Sequence, residues 1–274
     1  YVRSGAAVRW MHKNDRPVIG WGLGAALPSG LLSRMRLGKR RRFIQQFDSL
    51  ITYSQKGAGE YSDLGFPQEN IFTATNSVTP PPAHPYPERN KNKDESSRVL
   101  FVGRLQERKR LKNLIIACSK LPLSLQPNLV IVGEGPARAN LETVSSQYYP
   151  KTKFTGALYN DALDAQFRKA DLFVLPGTGG LAIQQAMSFG LPIIAAEADG
   201  TQGDLVRPKN GWQIPPDDVQ ALTNALHDAL SNIERLHRMG RESYRIVSEE
   251  VNLEQMVAAF IKAINWSIVC RNTS

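Results

Sequence analysis

Apolar and polar positions follow two regimes along the chain. From residue 98 onward, short runs rich in Val, Ile, Leu and Phe recur at 98–102, 128–132, 171–175 and 192–196, with a weaker one at 153–155. None alternates apolar with polar, so each predicts a strand covered on both faces, as in a parallel sheet. Helical spacing separates the runs, near 109–120, 136–147, 161–169 and 180–189. This alternation predicts a Rossmann-like α/β unit. The tail over 217–268 reads as helical, with breaks expected near Gly240 and Asn252.

Before residue 98 the elements are shorter. PVIGWGLG (17–24) predicts a buried strand ending in glycines. Residues 29–46 predict an amphipathic helix, with Leu31, Leu32, Met35, Phe43 and Phe47 among basic residues. A strand is expected at 48–53, a helix at 55–64 closed by Gly65, and an extended piece at 71–78. The segment TPPPAHPYPERNKNKDESS (79–97) then holds five prolines followed by charges, which suits neither helix nor central strand. It reads as an interdomain linker.

The length of 274 residues fits two domains at about 150 residues each. Ordinary hydrophobic and charged fractions argue against a wholly disordered chain and against a membrane-spanning one, and no apolar run is expected to approach membrane-spanning length. Two cysteines, Cys118 and Cys270, make neither a disulfide framework nor a metal motif. They suit a reducing compartment, and a cytoplasmic location is expected. The chain opens on Tyr1, and residues 1–16 show no apolar core of a signal peptide. The expectation is a chain that begins inside something larger.

The net charge of +9 raises nucleic acid or an anionic membrane as partners. Six of the excess cations are Arg34, Arg36, Lys39, Arg40, Arg41 and Arg42, with no acid among them. Charge concentrated in one helix argues against nucleic acid, which expects a distributed stripe. A basic helix suits the surface of an anionic membrane, with a solvated helix face as the plain alternative.

Ligands of open parallel sheets bind beyond the carboxyl ends of the strands. The first strand after the linker ends in Gly103-Arg104-Leu105, with Lys109 expected at the start of the next helix. Two cations near a helix start suit a diphosphate, though a solvated basic stretch with Arg108, Arg110 and Lys112 weighs about evenly. The second strand ends in Gly133-Glu134-Gly135-Pro136, which by itself is a tight turn. The strand at 171–175 ends in Pro176-Gly177-Thr178-Gly179-Gly180-Leu181, whose glycines before a helix offer free backbone N–H groups to an anion. Gln185 lies one turn into that helix and can face the same rim. Glu197, Asp199 and Asp204 follow the next strand, as hydroxyl partners or as helix caps.

Four segments occur in order: VLFVGRLQERKRLKNLIIA, NLVIVGEGPARANLE, FTGALYNDALDAQFRKADLFVLPGTGGLAIQQAMSFGLPIIAAEADG and NGWQIPPDD. Together they resemble the donor-binding domain of retaining family-4 glycosyltransferases of the GT-B fold (glycosyl transferases group 1), over residues 98–268. Residues 17–78 are similar to the second half of that family's acceptor-side domain, through GWGLG, TYSQKGAGEY and IFTATNSV. The resemblance implies an α/β GT-B chain with one complete Rossmann-like donor domain and a partial acceptor domain. The implied boundaries are 1–78 (partial acceptor side), 79–97 (linker), 98–252 (donor domain) and 253–274 (a helix crossing back).

It further implies a UDP- or GDP-linked sugar donor, a glycan or lipid-linked acceptor, retention of configuration, and no metal or other cofactor. Gly103, Arg104, Lys109, Gly179, Gly180 and Leu181 would bind the donor diphosphate. Gln185, Gly133, Glu134, Ala157 and Leu158 would line the ribose and base. Two departures stand out. The family's two glutamates, eight apart, fall on Gly177 and Gln185, and the front of the acceptor domain with its cleft-facing His has no counterpart. None of His12, His84, His227 or His237 sits in a matching motif, so no catalytic residue is assigned.

The expected function is sugar transfer in cell-surface polysaccharide synthesis by a bacterial enzyme. A subfamily with its own GxGGLxxxQ pattern explains the departures. A non-catalytic nucleotide-sugar-binding fragment or pseudoenzyme is the second reading. Another GT-B enzyme, such as an epimerase or a phosphorylase, ranks last, because the lysine that anchors a phosphorylase cofactor is not recognisable. The basic helix adds peripheral contact with the inner face of the plasma membrane.

Overall fold

A computed structural model of the chain describes residues 2–24, 33–77, 79–87, 96–198 and 200–272. The chain divides into two compact units, Tyr1–Ser77 with Leu253–Ser274, and Val78–Asn252. The first unit begins with α1 (Val2–Lys13), β1 (Ile19–Gly22), α2 (Ser33–Ile44), β2 (Ser49–Thr52), α3 (Gln55–Asp63) and β3 (Ile71–Thr73). Its three strands are parallel in the order β1-β2-β3, with Ile19 opposite Ser49 and Leu50 opposite Ile71. Ser54 caps α3, its side chain accepting from the Gly57 N–H at 3.0 Å.

The second unit holds β4 (Arg98–Val102), α4 (Leu111–Ser119), β5 (Asn128–Val132), α5 (Arg138–Tyr148), β6 (Lys153–Gly156), α6 (Asn160–Lys169) and β7 (Leu172–Leu175). It continues with α7 (Leu181–Ser188), β8 (Ile193–Ala196), α8 (Gln202–Leu205), β9 (Gly211–Ile214), α9 (Val219–Leu230) and α10 (Ile233–Glu249). Its six strands form one parallel sheet in the order β6-β5-β4-β7-β8-β9. β7 and β8 are buried along their whole length, as expected of strands with no polar alternation. The order reverses beside β4, and that switch point is where open α/β sheets hold ligands.

Helix α11 (Leu253–Asn272) belongs to the first unit. Successive residues of β2 point to opposite faces of its sheet. Leu50 packs with Ile44, Tyr61, Leu64 and Phe66 from the α2–α3 side. Ile51 packs with Ala263, Met256, Ala259 and Phe260 on the α11 side. So α2 and α11 cover opposite faces. Over Leu253–Arg271, α11 is long and apolar enough to cross a membrane by length and composition. Its apolar residues are interrupted by Glu254 and Lys262, so no continuous apolar run marks it in the sequence.

Several expectations are corrected. Gly240 does not break the tail: α10 runs through it, and the break falls at Ser231–Asn232. Gly240 is there for close approach, since a Cβ would run into the Gly190 carbonyl oxygen. Residues 79–87, part of the segment read as an interdomain linker, group with the second unit. Tyr86 packs edge-on against Tyr244 with ring centroids 5.8 Å apart, and the Tyr244 hydroxyl donates to the His84 carbonyl. The rest of that segment, 88–95, lies outside the described residues. Helix α1 and strand β9 were not anticipated. The helix expected over 29–46 is described as α2 from Ser33, and 25–32 lie outside the described residues. Cys118 is buried and Cys270 half-buried, and neither is in a disulfide among the described residues.

Candidate nucleotide-sugar site

The carboxyl ends of β4, β5 and β7 meet at one rim, and backbone hydrogen bonds join their loops. The Gly103 N–H donates to Val132 O at 3.0 Å, the Leu105 N–H to Glu134 O at 2.9 Å, and the Ala137 N–H to Leu105 O at 3.1 Å. Gly133 and Gly135 permit this closeness: a Cβ at either would run into the carbonyl oxygen of Gly103 or Leu105. The Gly133 N–H donates in turn to Gly156 O at 2.8 Å, which brings Ala157 and Leu158 beside the same turn. Ala157 is exposed and Leu158 half-buried. Glu134 is engaged by Arg138, whose guanidinium also reaches Glu142 at 2.8 Å.

On the other side, the loop after β4 is fastened to the glycine loop. The Thr178 N–H donates to Arg108 O at 3.1 Å, Arg108 Nη1 to Thr178 Oγ1 at 2.9 Å, and Lys109 Nζ to Thr178 O at 2.6 Å. Gly177 is buried under this contact. A Cβ there would run into Arg108 O and lie 2.7 Å from Lys109 Cα. The glycine where the family resemblance expects a glutamate is therefore a packing requirement of this loop pair. Lys109 was expected at a helix start. It stands instead in a short 3-10 turn, Glu107–Lys109, and α4 opens at Leu111 after a left-handed Arg110. Desolvation, and secondarily the Arg108 charge, lower the Lys109 pKa from its ordinary value.

The glycine loop leads into α7 with Gly180 at its N-cap. Among the described residues, no acceptor is bonded to the backbone N–H groups of Gly179, Gly180 and Leu181. Such orphan donors at a helix start complement an anion. Arg104 is exposed on the same rim and ion-pairs with no described residue. Gln185 is half-buried in α7. The sequence reading missed Gln202. This residue is 1 % exposed, and its amide Nε2 donates to Gly179 O at 2.9 Å, fixing the loop from below. A lone glutamine after a strand carries no pattern that would have revealed it.

Of the acids after β8, Glu197 is exposed and Asp199 lies outside the described residues. No group of three or more His, Cys, Asp or Glu gathers as a metal site among the described residues. The basic cluster lies elsewhere, on α2. Arg36, Lys39, Arg41 and Arg42 are exposed, Arg40 donates to Gly24 O at 3.2 Å, and the Arg34 side chain lies outside the described ones. These cations surround the helix except on the stripe where Leu37 and Ile44 meet the core. The apolar face is therefore narrower than an amphipathic reading expected.

Comparison with known proteins extends this picture. The sulfoquinovosyl transferase SQD2 of Arabidopsis thaliana is 29 % identical over 199 residues, covering 64 % of this chain and 38 % of that protein. A GDP-mannose-dependent alpha-mannosyltransferase of Mycolicibacterium smegmatis is 37 % identical over 139 residues, covering 49 % of this chain and 34 % of its own length. The putative colanic acid biosynthesis glycosyltransferase WcaL of Escherichia coli is 26 % identical over 198 residues, covering 68 % and 48 %. The chain thus spans between a third and a half of these relatives.

Among solved structures, Anabaena Alr3699/HepE in complex with UDP is similar with a TM-score of 0.72 at 18 % identity, covering 94 % of this chain and 75 % of that one. Sucrose-phosphate synthase from Thermosynechococcus elongatus follows at 0.68 and 20 %, covering 95 % and 71 %. At these identities the likeness is one of fold, α/β of the GT-B type. The family model described as "Glycosyl transferases group 1" matches residues 85–246. The chain belongs to the group 1 glycosyl transferases.

Proposed function

We propose that this chain is the donor-binding part of a glycosyltransferase. The enzyme moves a sugar from a UDP- or GDP-linked donor to a glycan or lipid-linked acceptor, with retention and without a metal, in cell-surface polysaccharide synthesis. One observation carries the reading. Lys109, exposed Arg104 and the unengaged N–H groups of Gly179, Gly180 and Leu181 share the carboxyl rim of a parallel sheet at its switch point. As the bond from sugar to diphosphate breaks, negative charge builds on the leaving phosphate. Fixed cations and N–H dipoles stabilise that charge without having to reorganise. Gln185, Gly133, Glu134, Ala157 and Leu158 would line the nucleoside beside it. Relatives named for GDP-mannose and a fold neighbour solved with UDP support a nucleoside-diphosphate donor.

Calorimetry with UDP and GDP tests the proposal. Binding of at least one nucleoside diphosphate is expected, and Arg104→Ala should abolish it. Absence of binding for both overturns the reading. A second reading, a nucleotide-sugar-binding module without turnover, rests on buried Gly177, which has no room for a side chain. Binding without sugar transfer by the complete protein would favour that module. The exposed cations of α2 support peripheral contact with an anionic membrane on its cytoplasmic side. α11 covers the opposite face of that unit's sheet and so lies apart from this proposed contact surface.

A further inference from the structure

The second unit has a cavity of about 760 Å³ on the rim opposite the glycine loop. It lies where residues 206–209 lead into β9, at the amino end of that strand, and α10 closes it with Arg235, Arg238 and Glu242. Nothing in the proposed transfer reaction uses it. Four cations line it, Arg207, Lys209, Arg235 and Arg238, against two acids, Asp228 and Glu242.

Both acids are already committed. Asp228 accepts from Arg235 Nη2 at 2.7 Å and from the Trp212 indole Nε1 at 2.9 Å. Glu242 is gripped by Arg245, outside the lining, at 2.8 and 3.0 Å. Arg207 pairs with Glu250 at 2.7 Å. Lys209 and Arg238 remain; both are exposed residues of the lining, and neither pairs with a described residue. The wall is also short of acceptors, since Arg235 Nε is buried with no hydrogen-bond partner among the described residues. The cavity's field is therefore positive. In keeping with it, the Glu242 carboxyl is held below its ordinary value, first by Arg245 and also by the Lys209 and Arg207 charges.

We propose that this cavity binds a phosphate dianion, free or as a small phosphomonoester, between Lys209 and Arg238. Two uncommitted cations match two negative charges, and a tetrahedral group offers oxygens to both at once. A monocarboxylate would leave one cation unanswered, and a neutral sugar would answer neither. Trp212 provides a built-in reporter, because its indole N–H lies in the wall on Asp228.

The test is nitrogen-labelled full chain titrated with inorganic phosphate and, separately, methyl phosphate, at constant ionic strength set with sodium chloride. The Trp212 indole signal, assigned by its loss in Trp212→Phe, should shift saturably. The shift should persist in Arg104→Ala, which separates it from nucleotide binding. Lys209→Ser and Arg238→Ser should each weaken binding about tenfold, with the remaining indole signals unchanged as the sign of an intact fold. A response to inorganic phosphate alone assigns free phosphate as the ligand, and a response to methyl phosphate assigns an ester. No saturable shift with either probe, or equal affinity in both serine variants, overturns the site.

Discussion

Lys109 and the cations of α2 carry the same formal charge in opposite settings. Lys109 is half-buried, its amine is fixed on Thr178 O at 2.6 Å, and the glycine loop lies against it. Arg36, Lys39, Arg41 and Arg42 stand exposed around a helix. A fixed, partly desolvated cation acts on a ligand through a short path of low dielectric, whereas exposed cations are screened within a Debye length. Net charge alone does not distinguish the two. For these two groups the setting decides the role: Lys109 is held against the glycine loop, where it can meet a small anion, and the α2 cations form an open surface.

The sharpest way to break this comparison is to remove each group in turn. Lys109→Ala should weaken UDP or GDP binding by about 1.5–3 kcal/mol, the range of a charge-assisted hydrogen bond. Replacing Arg40, Arg41 and Arg42 together by Ser should leave nucleotide affinity unchanged and lower co-sedimentation with anionic vesicles. If calorimetry finds the triple variant as damaged as Lys109→Ala, the division of roles between the two groups fails. Vesicle binding that is indifferent to the triple change removes the membrane role.

A smaller effect is expected at Gly177. Its Cβ position is occupied by the backbone of Arg108 and Lys109. Gly177→Ala should force the two loops apart, at about 1–3 kcal/mol of overpacking, read as a lower urea midpoint. Nucleotide affinity should fall with it, because Lys109 is aimed by this contact. A variant as stable as the parent would show that the loops are not held together through Gly177. Gln202→Leu acts from the other side of the same loop. It leaves the Gly179 carbonyl without its buried donor, and about 1 kcal/mol of stability should be lost.

Most of the second unit was legible because its strands are uniformly apolar and glycines mark their ends. The rim glycines at 103, 133, 177, 179 and 180 could be read for the same reason, since phosphate approach and loop closure both demand backbone without side chains. β9 escaped because GWQI is a four-residue edge strand in which only the first and last residues are buried and Trp212 merely borders the core. α1 escaped because its residues show no apolar period, and Val8 is the buried one among those described. Gly240 misled because helix propensity was read without its neighbour, the Gly190 carbonyl. The Arg108–Thr178 and Gln202–Gly179 contacts join residues 70 and 23 positions apart. Only the folded sheet brings them together, and no local pattern announces them.

The smallest predicted effect is also the most specific to the setting of Lys109. Desolvation and the neighbouring Arg108 charge favour its neutral form and lower its pKa from the ordinary lysine value of 10.5. A diphosphate binds the protonated amine, so affinity should be full below the lowered pKa and fall as pH rises through it. That fall should begin earlier than for an ordinary lysine. Lys109→Arg supplies the control, because a guanidinium keeps its proton through this range. The ligand's own titration is common to both proteins and cancels in their difference. Calorimetry across neutral to alkaline pH should therefore show the parent losing affinity relative to Lys109→Arg. A flat difference would mean that Lys109 does not hold the diphosphate, and that its contact with Thr178 serves only to join the two loops.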